Sequence, residues 1–86
     1  MIPIDDIRFF LIVVRSGSLA AAAREINVTA SAVTQRLQQL EARLGVRLVD
    51  RSTRNMCLTD EGQLLAEEGA AICEQNDILF EKLKAR

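Results

Sequence analysis

The chain has 86 residues, 49% of them apolar and 27% charged, and its net charge is −1. That composition fits one small globular domain and excludes a disordered chain. Histidine is absent and the two cysteines, Cys57 and Cys73, stand sixteen positions apart, which excludes a zinc site and a CxxC redox motif.

In chain order, Ile4, Ile7, Leu11 and Val14, with Phe10 alongside, predict a first helix over residues 4–15. Asp5 and Asp6 fall in its first turn, where the helix dipole favours acids. Gly17 ends it, and Ser18 caps a short second helix, Leu19 to Ile26. Ala20 to Ala23 are strong helix formers that also let another helix come close. Asn27 tolerates the left-handed backbone of a tight turn. Thr29 caps a third helix running to about Leu44, with the stripe Val33, Leu37, Leu40 and Leu44 inward. Its other face reads Ala30, Ser31, Thr34, Gln35, Arg36 and Gln38, short or polar.

Val46 to Val49 predicts a short strand, residues 50–55 a polar hairpin tip, and Met56 to Leu58 the return strand. Thr59 caps a last helix with Asp60 and Glu61 in its first turn. Leu65, Ile72 and Leu79 recur every seven residues, with Gly69, Asn76 and Leu83 between and after them. Ala66, Cys73 and Phe80 widen this stripe. From Gly69 to Leu83 it outruns what a sixty-residue core can cover, so it predicts a dimer surface. Asn76 on the seam would help set register.

Net charge hides an uneven distribution. Residues 1–14 carry −1, residues 15–54 carry +4 and residues 55–86 carry −4. Every cation of the middle segment is Arg, the residue suited to forked phosphate and base-edge contacts. Helix, short helix, tight turn, longer helix and hairpin is the order of a winged helix-turn-helix, a mainly α fold. Residues 1–58 would form that domain and residues 59–86 a linker and dimerisation helix.

The residues also carry a family resemblance. Gly17-Ser18-Leu19, Ala22-Ala23, Ile26 to Thr29, Ala32 to Thr34, Leu37, Leu40-Glu41, Leu44 to Leu48, Arg51, Arg54, Leu58-Thr59 and Gly62 together resemble the N-terminal DNA-binding domain of LysR-type transcriptional regulators. The resemblance spans essentially the whole chain without an obvious gap. It implies a bacterial regulator that binds double-stranded DNA as a dimer on interrupted inverted repeats, its linker helices paired antiparallel. It also implies a C-terminal effector-binding domain absent from this chain, so that a small-molecule effector would act only through that part. The 86 residues then read as an isolated or truncated DNA-binding domain. Three positions depart from the family habit: Ala30, in the pair Ala30-Ser31, stands where Gln-Pro or Gln-Ser is frequent, Gln35 replaces Arg or His, and Val49 replaces Phe.

On this reading Ser31, Thr34 and Gln35 face base edges and Ala30 meets a thymine methyl. Thr29 and Arg36 are expected at phosphates. Arg54 is expected in the minor groove. Arg51 stands nearer the wing base, either at DNA or paired with Glu41. Arg24, Arg43 and Arg47 read as surface residues. The expected dimer interface is Leu65, Gly69, Ile72, Cys73, Asn76, Leu79, Phe80 and Leu83.

No cofactor is implied, and no acid–base or nucleophile set can be assembled, so an enzyme is not expected. The longest apolar run, Phe9 to Val14, is too short to cross a membrane. With two thiols and no signal-peptide start, the chain reads as cytoplasmic. A winged-helix protein-interaction module is the competing class. It would need an acidic or apolar recognition face, and here that face is polar and flanked by Arg.

Overall fold

The computed structural model describes residues 1–50 and 56–86. Four helices and a two-stranded antiparallel pair follow in the order α1 (Ile4–Ser16), α2 (Leu19–Ile26), α3 (Ala30–Leu44), β1 (Val49–Asp50), β2 (Cys57–Leu58) and α4 (Asp60–Lys84). The strands pair Val49 with Leu58 and Asp50 with Cys57.

The helix boundaries are set by local chemistry. The Ser18 hydroxyl accepts from the Ala21 N–H at 3.0 Å, Thr29 from Ala32 at 3.1 Å, and Thr59 from Gly62 at 3.0 Å. Each satisfies a donor that the first helical turn leaves orphaned. Asn27, the residue that closes α2, has φ 61° and is the only non-glycine among the described residues with positive φ. This left-handed cap turns the chain from α2 into α3 within three residues.

The core gathers Phe9, Phe10 and Val13 of α1, Ala22 and Ala23 of α2, Val33, Leu37 and Leu40 of α3, and Leu48 and Val49 at the wing base. Fully burying the larger of these side chains, the Val, Leu and Phe members, contributes about 1.5–3 kcal/mol each. The buried face of α1 is Ile7, Phe9, Phe10 and Val13, whereas the expected stripe members Ile4, Leu11 and Val14 are half-buried. The reason is that α1 packs on two neighbours, α2 and α4, so its apolar face is wide and centred on the two phenylalanines.

The strand expected from Val46 begins only at Val49. The backbone before it bonds elsewhere. Val46 N–H reaches the Glu41 carbonyl at 3.3 Å, Leu48 N–H reaches the Glu41 carboxylate, and the Leu48 carbonyl accepts from Thr59 N–H at 3.0 Å. The radius of gyration is 13.8 Å and the longest extent 49 Å. A compact chain of this length would have a radius of about 12 Å. The excess reflects α4, whose 25 residues outrun the domain.

Candidate nucleic-acid interface

The outward face of α3 is built from three requirements: a fixed start, a buried back and a small front. Thr29 fixes the start, and its oxygen accepts inside the helix while its O–H remains a donor. Val33, Leu37 and Leu40 fix the back against the core. Ala22 and Ala23 of α2 are buried and short, so α2 braces α3 closely. The front carries Ala30, Ser31, Gln35 and Gln38, all exposed, while Thr34 is half-buried at its edge. The expected base-edge residues therefore share one solvent-facing surface, with Thr34 the least accessible. Gln38, one turn beyond Thr34, joins them and was not among the expected contacts.

Arg36 stands on the flank of α3 that faces α1, and its guanidinium is occupied there. It donates to the Asp5 carbonyl at 3.3 Å, lies 3.5 Å from the Asp6 carboxylate and covers the Phe9 ring at 4.5 Å. About two helical turns on, Arg43 reaches the other Asp6 oxygen at 2.7 Å. A phosphate role for Arg36 through its guanidinium thus competes with three intramolecular partners. Arg43 is at the surface as expected, but in an ion pair. Arg15 pairs with Glu25, and Ser16 donates to the same carboxylate at 2.9 Å. The Ser16 hydrogen bond, with help from Arg15, holds Glu25 below the ordinary carboxylate value.

Glu41 carries the wing base, a role that the sequence alone ties only to an alternative pairing with Arg51. It is 6% exposed, and its Oε2 accepts from the Leu48 N–H at 2.8 Å and the Val49 N–H at 3.3 Å, with Arg47 Nε at 3.7 Å. Thr59 closes the wing from the far side by donating its hydroxyl to the Arg47 carbonyl at 2.6 Å. Gly62 lets α4 pass there: a Cβ at this position would sit 2.0 Å from the Leu48 carbonyl oxygen. Arg51 and Arg54, expected at the wing base and in the minor groove, lie outside the described residues.

The α4 stripe divides in two. Gly69 and Cys73 are buried and Leu65 is half-buried on the chain's own core. A Cβ on Gly69 would meet Ile7 at 2.7 Å. These three expected interface residues are therefore covered within the chain, because α1 lies along this part of α4. Ile72, Leu79, Phe80 and Leu83 are 50–61% exposed, and Asn76 is exposed beside them. Phe80 continues the line of Gly62, Gly69 and Cys73 past the end of the domain. At that edge Arg8 of α1 pairs with Asp77 at 2.7 Å, a hydrogen bond that raises the pKa of the guanidinium. Cys57 is exposed on β2 and Cys73 is buried on α4, and the two are not joined in a disulfide.

Among the described residues, no group of three or more His, Cys, Asp or Glu side chains could hold a metal ion. Among the same residues, no helix is long and apolar enough to cross a membrane. A braced helix with a small polar front, followed by an antiparallel pair, defines a winged helix-turn-helix domain. The chain belongs to the lysR family of bacterial regulatory helix-turn-helix proteins, whose pattern matches residues 4–63.

It is 46% identical over 68 residues to an uncharacterized HTH-type transcriptional regulator of Mycobacterium tuberculosis, covering 79% of this chain and 22% of that protein. It is 38% identical over 69 residues to the HTH-type transcriptional regulator TcbR of a Pseudomonas species, covering 80% of this chain and 24% of that one. The chain thus spans under a quarter of the length of these curated relatives. Among solved structures it is similar to the CbnR DBD–DNA complex, with a TM-score of 0.87 and 32% identity over 98% of this chain and 97% of that one. It also superposes on CbnR, a LysR family transcriptional regulator, with a TM-score of 0.86, covering 98% of this chain and 29% of that one.

Proposed function

We propose that this chain binds double-stranded DNA sequence-specifically, as the DNA-binding domain of a LysR-type transcriptional regulator. The observation that carries this reading is the front of α3: Ala30, Ser31, Gln35 and Gln38 exposed together on a helix whose back is fully buried. Such a face enters a major groove without steric conflict, and its hydroxyl and amide groups match base edges. The solved complex of CbnR, 32% identical, is with DNA, which supports the same use here.

Thr29 and the free amides at the start of α3 take a phosphate, where the helix dipole favours an anion. Ser31, Thr34 and Gln35 read base edges and Ala30 meets a thymine methyl. Arg36 acts at the phosphates only so far as Asp6 releases it. Arg51 and Arg54 add wing contacts to the backbone and minor groove.

Residues 1–58 form the reading head and residues 59–86 the linker, whose first half also lends contacts to the core. A homodimer forms through the exposed part of α4, namely Ile72, Asn76, Leu79, Phe80 and Leu83, and sets the spacing of two half-sites. A small-molecule effector acts through a further domain of the regulator. The protein works in the cytoplasm and catalyses no reaction; its relatives are transcriptional regulators.

The test is a change of preference rather than of strength. Gln35→Ala, selected against a random duplex pool, shifts the enriched base at one position per half-site and leaves the thermal midpoint unchanged. Identical enriched sequences for the variant and the parent chain would remove Gln35 from the readout.

A further inference from the structure

The α1-facing flank of α3 holds an arrangement that the reading face does not need. Arg36 and Arg43 stand seven positions apart on this flank, so both project to the same side of the helix. Asp6 lies between them, with Oδ1 3.5 Å from Arg36 and Oδ2 2.7 Å from Arg43. Its side chain is 19% exposed, whereas the two arginines are 44% and 52% exposed. One sheltered carboxylate thus divides its two oxygens between two more exposed guanidiniums. Arg36 is held further by the Asp5 carbonyl and the Phe9 ring.

A helix lying in a major groove runs between two phosphate rows, so its flanks face backbone while its front faces bases. Cations on a flank would therefore add affinity for any sequence, since phosphate contacts carry no sequence information. Here they are turned onto α1.

We propose that Asp6 is a specificity-determining residue: it restrains Arg36 and Arg43 from the DNA backbone and so lowers the affinity for non-cognate DNA. This rests on the DNA-binding reading above. Discrimination is then left to the uncharged front of α3. The cost is some total affinity and the gain is a larger ratio between operator and bulk DNA, the quantity that decides occupancy among many competing sites.

The test compares Asp6→Asn with Asp5→Asn, two neighbouring variants with the same change in net charge. Each is titrated with a labelled random-sequence duplex by fluorescence anisotropy across a salt series. The proposal expects Asp6→Asn to bind more tightly at low salt and to steepen its salt dependence by roughly two phosphate contacts. Between 50 and 200 mM salt, that is an additional loss of about 12-fold in affinity relative to the parent. Asp5→Asn should show only the smaller, shared effect of the charge change.

In the parent background, Arg43→Gln should leave the salt dependence nearly unchanged. Equal slopes for the two aspartate variants, weaker binding by Asp6→Asn, or a slope about one contact shallower for Arg43→Gln would each overturn the proposal. If Asp6→Asn melts before it can be titrated, Arg43→Gln decides alone. A parent chain that binds no duplex at low salt overturns the DNA-binding reading itself. A parent that binds, with unchanged slopes in Asp6→Asn, overturns only the role of Asp6.

Discussion

Glu41 shows how one side chain can carry a neighbouring element. Its carboxylate accepts from two amides belonging to Leu48 and Val49, residues only 1–2% exposed. Glu41→Ala leaves both donors without that acceptor, and each unsatisfied buried group costs about 1–3 kcal/mol. Urea denaturation of Glu41→Ala should show a loss in that range or above it. Gly62 is a second such point, since any Cβ there collides with the Leu48 backbone, which cannot swing away as a side chain can. Gly62→Ala is expected to destabilise by about 1–3 kcal/mol, the usual scale for overpacking.

Glu25 acts more weakly and only with pH. Its pKa is lowered in the folded chain by Ser16 and Arg15. Its contribution is therefore present above the ordinary glutamate value and is lost as pH falls through the lowered folded value. The parent should lose stability relative to Glu25→Gln in that acid window and not near neutrality, as thermal midpoints against pH will show.

Among the elements, the three capping residues Ser18, Thr29 and Thr59 were legible because the cap is a contact within one turn, and each bonds as its spacing predicts. The α3 stripe Val33, Leu37 and Leu40 was legible because one neighbour face buries it. The wing's first strand was not, because Val46 to Leu48 look like strand residues while their backbone groups bond Glu41 on the preceding helix and Thr59 beyond the hairpin. The partners of Arg36 were not legible for the same reason: its position places it on α3, but only the tertiary fold brings Asp6 and Phe9 of α1 to it. Thr29 bears on stability through its cap. Thr29→Ala should cost about 1 kcal/mol through the lost cap. Thr29→Ser should retain that cap, and chemical denaturation of the pair will separate the cap from the methyl group.

At the scale of the whole molecule, α4 has two jobs. Its first half closes the domain through Leu65, Ala66, Gly69 and Cys73. Its second half leaves Ile72, Leu79, Phe80 and Leu83 exposed, an apolar patch of the kind that marks an interaction surface. A heptad count could not tell these halves apart, because it knows the helix and not where the domain stops. Leu79→Lys with Leu83→Lys should therefore abolish self-association in sedimentation velocity while leaving the helical circular-dichroism signal and the thermal transition of the domain in place.

Sequence-specific DNA binding by the α3 face is the central claim. Its most direct test is to titrate the chain against a random-sequence duplex pool by fluorescence anisotropy over a salt series and to sequence the retained fraction. Non-specific dissociation constants of roughly 10⁻⁴ to 10⁻⁶ M that weaken steeply with salt are expected, together with enrichment of an interrupted inverted repeat. No binding even at low salt, or binding with no enriched sequence, would contradict it and turn attention to protein partners of the same face.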